Sequence, residues 1–166
     1  NVATYQLACA YVNIEEYRDI IEAVELLKSL ADEDFAPALY DLGLCYFNNI
    51  GYVGIDYDKA YELIKKSAEQ NYAPAIANLG MFYINSFPVL GIEQDYNKAM
   101  NLFIEAADMG LPLAYYYIGE MYKIGYGVKS SMRKAQKWYD EATKRGFNLQ
   151  QYQNQQYHLQ RMEIMT

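Results

Sequence analysis

The chain has 166 residues, 52% of them apolar and 21% charged, with a formal net charge of −7. That length gives one domain with a sizeable core, and the apolar share excludes a disordered class. Acidity without an Arg/Lys stripe speaks against nucleic acid as a partner. No run approaches the roughly 18 apolar residues of a membrane span, so no membrane insertion is expected.

The first helical pattern carries Ala3, Leu7, Ala8 and Tyr11 at steps that line one helix face. A second follows through Ala23, Leu27 and Ala31 and closes at Asp34 and Phe35. The skeleton returns as Ala38, Leu42, Gly43 and Tyr46, then Ala60, Ile64 and Ala68, closing at Asn71 and Tyr72. It returns again as Ala75, Leu79, Gly80 and Tyr83, then Ala99, Phe103 and Ala107, closing at Gly110 and Leu111. The last full copy holds Ala114, Ile118, Gly119 and Tyr122, then Ala135, Trp138, Tyr139 and Ala142, closing at Gly146 and Phe147.

From each first-helix tyrosine to the alanine opening the second helix there are 12, 14, 16 and 13 residues. Length variation gathers in that loop because closure entropy grows slowly with loop length, whereas a packed helix face cannot shift. Asp19, Asp56, Asp95 and Ser131 stand four residues before those alanines and suit N-caps. Asp34, Asn71, Gly110 and Gly146 fall where left-handed backbone ends a helix, and Pro37, Pro74 and Pro112 open the next one. Gly43, Gly80 and Gly119 each carry the cost of about 1 kcal/mol for glycine within a helix. Close helix approach explains them; no strand precedes them, so they make no cofactor loop. Cys9 and Cys45 are not equivalent in the repeat and read as free thiols in or near the core.

These two-helix units resemble the Sel1-like repeat family, a longer-looped relative of the tetratricopeptide repeat. The first helices carry the match as ALYDLGLCYF, AIANLGMFYI and AYYYIGEMYK. The second helices carry it as DYDKA, DYNKA and SMRKA, followed by SAEQNY, AADMGL and ATKRGF. The loop signature is full in GYGV (Gly125 to Val128), loose from Gly51 to Ile55, and absent from Phe87 to Ile92. The resemblance implies an all-α fold, a right-handed α-α superhelix of helix-turn-helix repeats. Its repeats would lie at about 1–35, 36–72, 73–111 and 112–147 within a single α-solenoid domain, 1–166. Residues 148–166 are read as a C-terminal capping helix, with a flexible tail as the alternative for the last few.

The residues offer little chemistry. His158, the single histidine, has no Cys or second His with which to share a metal. No phosphate loop and no Ser/His/Asp or Cys/His set can be assembled, so no catalytic residue, cofactor or metal is assigned. The resemblance implies a non-enzymatic scaffold that binds a peptide or protein segment on a concave face lined by first helices. Carried over by position, that face holds Tyr5, Cys9, Val12 and Asn13 in the first unit, and Tyr40, Leu44, Phe47 and Asn48 in the second. Ala77, Met81, Ile84 and Asn85 follow in the third, then Tyr116, Glu120 and Lys123 in the fourth. Aromatic residues there suit interaction hot spots. The row Asn13, Asn48, Asn85 would either bond the backbone of an extended peptide or simply end each helix.

Charge supplies a rival. Residues 1–50 hold nine acidic groups against Arg18 and Lys28, while Lys129 to Arg145 hold six basic groups against Asp140 and Glu141. Weak head-to-tail self-association of a structural segment is the alternative function; a solvated helix face is the plainer account. A start at Asn1 fits an excised fragment and leaves the compartment unknown. The lack of a visible signal peptide slightly favours a cytoplasmic site over a periplasmic or secreted one.

Overall fold

Each spacing block becomes a helix. The computed structural model describes residues 2–12 and 17–154, the side chains of 9–12 and 17–19 apart. The helices are α1 (Val2–Val12), α2 (Tyr17–Asp32), α3 (Ala36–Asn48), α4 (Tyr57–Glu69), α5 (Ala73–Asn85), α6 (Tyr96–Asp108), α7 (Pro112–Ile124) and α8 (Met132–Lys144). Residues 149–154 are again helical. The chain forms two compact units, one of the residues up to Tyr72 together with Gln153 and Asn154, the other spanning Ala73–Tyr152. The fold is of the helical-repeat, solenoid-like class, with α1–α2, α3–α4, α5–α6 and α7–α8 as its pairs.

Small residues set the helix approach within each pair. Ala38, Ala60, Ala75, Ala99, Ala114 and Ala135 are all fully buried. A Cβ built on Gly43 would lie 2.8 Å from Ile64 Cγ1, one on Gly80 2.7 Å from Phe103 Cε1, and one on Gly119 2.5 Å from Tyr139 Cε1. The glycine thus seats the large residue four positions after the buried alanine of the partner helix, as the packing account requires. Burying Ile64 or Phe103 in that seat contributes about 1.5–3 kcal/mol each.

A repeated clamp closes the variable loop. Backbone N–H groups of Asp56, Asp95 and Ser131 donate to the carbonyls of Tyr46 (3.2 Å), Tyr83 (2.9 Å) and Tyr122 (2.8 Å). The same three residues are N-caps, accepting from the N–H of Lys59 (2.9 Å), Lys98 (2.9 Å) and Lys134 (3.3 Å). Each lysine then returns its Nζ to the tyrosine ring, at 4.2, 4.1 and 5.1 Å from the centroid. Ring, carbonyl, cap and cation hold one geometry while the loop between them changes length. In the third repeat, Phe87 and Ile92 also exchange backbone hydrogen bonds of 2.8 and 3.1 Å, which pinches the longest loop.

The second helices share one ending. Asp34, Asn71, Gly110 and Gly146 have φ of 59°, 60°, 87° and 91°. The residue after each donates its N–H five positions back: Phe35 to Leu30, Tyr72 to Ser67, Leu111 to Ala106 and Phe147 to Ala142. This is a Schellman closure, in which the apolar residue after the turn folds onto the last helical turn.

Two sequence expectations need correcting. Asp19 lies inside α2 and does not cap it. The first loop is the shortest, and α2 starts earlier relative to Ala23 than its counterparts do. The buried small residue near the end of α4 is Ser67, fully buried, and Ala68 is only half-buried. Ser67 can sit in the core because its hydroxyl donates to the Ala36 carbonyl at 2.7 Å, which ties the end of α4 to the start of α3. Cys45 is a buried free thiol, while the Cys9 side chain, Asn13 and His158 lie outside the described residues.

Candidate protein-interaction surfaces

In the first unit, Tyr40, Leu44 and Asn48 lie four apart on one stripe of α3, and all three are half-buried. Tyr40 packs edge-on to Tyr72, centroids 5.7 Å apart, as Tyr5 packs edge-on to Phe35 at 5.5 Å. These candidate tyrosines therefore lean on the apolar residue that closes their own repeat. The Tyr5 hydroxyl also donates to Asp41 at 2.7 Å, joining α1 to α3. Phe47 meets Tyr57 edge-on at 5.2 Å across the loop. The Val12 side chain lies outside the described ones.

In the second unit, Met81 and Ile84 are half-buried on α5, and Asn85 is exposed as its last residue. Asn48 likewise ends α3, so both described members of the asparagine row terminate helices. Ala77, the position of the candidate tyrosines, is buried. On α7, Tyr116 stacks on Phe147 at 4.7 Å and also meets Tyr139 (5.6 Å) and Tyr152 (5.9 Å). Its ring is part of an aromatic cluster, with the Tyr117 and Tyr152 hydroxyls bonded at 2.9 Å beside it. Glu120 accepts from the Tyr139 hydroxyl and from Lys123 Nζ at 3.4 Å. Burial, and next the bond to Glu120, push the Tyr139 phenol well above its ordinary range.

A second surface was not anticipated from the sequence. In the first unit, α2, α3 and α4 enclose an open cleft of about 510 Å³. Leu39, Leu42, Tyr46 and Leu63 give it apolar walls; Lys28, Lys59, Lys66, Asp32 and Asp34 complete them. The corresponding groove over α7 is filled by the chain itself. Tyr115 and Trp138 meet there at 5.8 Å, and the Arg145 guanidinium lies 4.2 Å over the Tyr115 ring. The signal was present in the aligned copies as Leu39 against Tyr115 and Leu63 against Trp138.

Among the described residues no group of His, Cys, Asp or Glu is placed to hold a metal, and no helix is long and apolar enough to cross a membrane. Burial pushes the Cys45 thiol up to about 12, with the Asp41 charge adding to it, which makes Cys45 a poor nucleophile.

The family model for the Sel1 repeat matches residues 2–35, 36–72, 73–111 and 112–147. Among solved structures, a Sel1 repeat protein from Oxalobacter formigenes is 28% identical with a TM-score of 0.74. That match covers 88% of this chain and 58% of the other, so this chain spans little more than half its length. A protective antigen of uropathogenic Escherichia coli displaying an SLR fold is 35% identical with a TM-score of 0.65, over 75% of this chain and 26% of that one. An immunity protein from Pseudomonas aeruginosa is alike in fold alone, 19% identical with a TM-score of 0.52 over 87% of this chain and 65% of that one. With four successive repeat matches over the helix pairs, the chain belongs to the Sel1 repeat family, whose repeats generally mediate protein–protein interaction and whose members are typically non-enzymatic scaffolds.

Proposed function

We propose that this chain is a non-enzymatic adaptor that binds a peptide or protein segment along the stripes of its first helices. The observation that carries this reading is the incomplete cover over Tyr40, Leu44 and Asn48 on α3, repeated at Met81, Ile84 and Asn85 on α5. Apolar side chains left half-covered at helical spacing suit an extended or helical segment laid across them. Glu120 and Lys123 on α7 add a polar, oppositely charged pair that fixes register more than affinity. The rings of Tyr5, Tyr40 and Tyr116 are each braced by the closing residue of their own repeat. The reading fits the family's general role and needs no cofactor.

The test replaces the half-covered positions and spares the braced rings. A Leu44→Glu, Met81→Glu, Ile84→Glu variant should keep its helical circular dichroism and melting temperature while losing the protein captured by the parent from source lysate. Equal capture by the folded variant would remove the first-helix stripes from consideration.

A further inference from the structure

We propose that the cleft of the first unit is a separate docking site for a short acidic segment that inserts one aromatic side chain between α2 and α4. It uses none of the first-helix positions named above, so either reading can fail without the other.

The groove over α7 has the same repeat positions as the cleft over α3, and it is occupied by the rings of Tyr115 and Trp138. Leu39 and Leu63, with smaller side chains, stand at those positions in the first unit and line the open cleft of about 510 Å³. A guest ring would restore over α3 the packing that the chain supplies over α7. The floor suits it: Leu39 and Leu42 are buried beneath, and the Tyr46 ring lies at one end.

The first unit keeps most of its lysines at this cleft. Residues 1–50 are strongly acidic, yet Lys28, Lys59 and Lys66 all line this cleft. Lys65, the only other lysine before Tyr72, lines the shallower hollow that shares Lys59, Leu63 and Lys66 with it. Asp32 and Asp34 share the walls, and the lysines are not idle: Lys66 pairs with Asp34, Lys28 with Glu25 at 2.7 Å, and Lys59 donates to the Tyr46 hydroxyl at 2.8 Å. Both ion pairs are solvent-exposed, and such pairs contribute little, so a guest carboxylate can exchange with Asp34 or Glu25 at small cost. The guest's ring supplies affinity and its flanking carboxylates supply orientation.

The experiment uses fluorescein-labelled peptides with the whole chain, read by fluorescence anisotropy at low and high salt. A tryptophan flanked by glutamates is the probe; the controls carry lysines for the glutamates or alanine for the tryptophan. The glutamate–tryptophan peptide should bind, weaken with salt, and outdo both controls by about tenfold or more. Leu63→Trp imports the residue of the filled groove and should abolish binding. Should Leu63→Trp melt early, the exposed pair Lys28→Glu, Lys66→Glu serves as the second variant and should weaken the probe by a similar factor. Leu44→Glu, Met81→Glu, Ile84→Glu should leave it unchanged. No binding by the parent, equal binding of the lysine-flanked control, or undiminished binding to a folded Leu63→Trp would each overturn the assignment.

Discussion

The groove over α3 and the groove over α7 are the same place in two copies of one repeat, and only the latter is filled. Three substitutions account for it: Leu39, Leu63 and Gln70 in the first unit stand where Tyr115, Trp138 and Arg145 stand in the second. Helix separation is set elsewhere, by Gly43 against Ile64 and by Gly119 against Tyr139. The lining positions are therefore free to be large or small without altering how the helices meet. A repeat array can in this way keep its architecture constant and vary its surface one groove at a time.

The glycine seam inside each helix pair is where the largest effect should lie. Gly80→Leu drives a side chain into the Phe103 ring, which is fully buried and has nowhere to move. A loss of about 3 kcal/mol or more is expected, read as a lower urea midpoint. An unchanged midpoint would show that the glycines do not set helix approach, and the contrast between seam and groove would collapse.

Next in size is the contrast between the grooves. Tyr115→Leu with Trp138→Leu should hollow the second unit and cost about 2–3 kcal/mol, as removal of packed rings does. Leu63→Trp in the first unit should stay within about 1 kcal/mol of the parent, because its new ring enters space already open. Equal losses in the two experiments would mean that the open cleft is as tightly determined as the filled groove.

The relative legibility of these features follows from their physics. The helix pairs, the glycine seats and the left-handed endings could be read because each imposes a residue type at a fixed spacing: Gly80 admits no Cβ, and Asn71 and Gly146 carry positive φ. The lysine clamp was also encoded, as the DYDKA and DYNKA segments, but cap and cation look like separate solvated charges until the loop folds Lys98 over Tyr83. Ser67 is not legible in the sequence because a hydroxyl is an unexpected core residue, and its partner is a backbone carbonyl that no sequence pattern announces. The candidate tyrosines lie on first helices, yet their exposure depends on the closing residue of the repeat, as Tyr116 against Phe147 shows. The cleft is an absence of side-chain volume at Leu39 and Leu63, and absence is visible only by comparison with Tyr115 and Trp138.

A smaller effect tests whether the clamp is shared evenly. Asp95→Ala removes an N-cap and should cost about 1 kcal/mol, with Asp56→Ala in the first unit costing about the same. Thermal melts of the two variants should superimpose. A much larger loss for Asp95→Ala would assign an extra role to the longer loop of the third repeat. The first repeat has Glu22 where the others have the clamp lysine, so Glu22→Lys is expected to give no loss of stability.

The smallest effect separates the units by charge. Asp41 stands on α3 where α5 has Asn78 and α7 has Tyr117, so only the first unit half-buries a carboxylate at this position. Burial raises its pKa above the ordinary value, and the bond from Tyr5 opposes part of that rise. The folded state therefore holds the proton more tightly than the unfolded chain does. Stability from this group is complete below the unfolded carboxylate pKa of about 4 and is lost as pH rises through the higher folded value. Asn at position 41 keeps an oxygen to accept from Tyr5 and removes the charge. Asp41→Asn should be nearly neutral near pH 4 and should be more stable than the parent at neutral pH. Melting temperatures across that range decide it. A gap that widens as pH falls would reverse the sign and make the Tyr5 bond, not burial, the larger influence on Asp41.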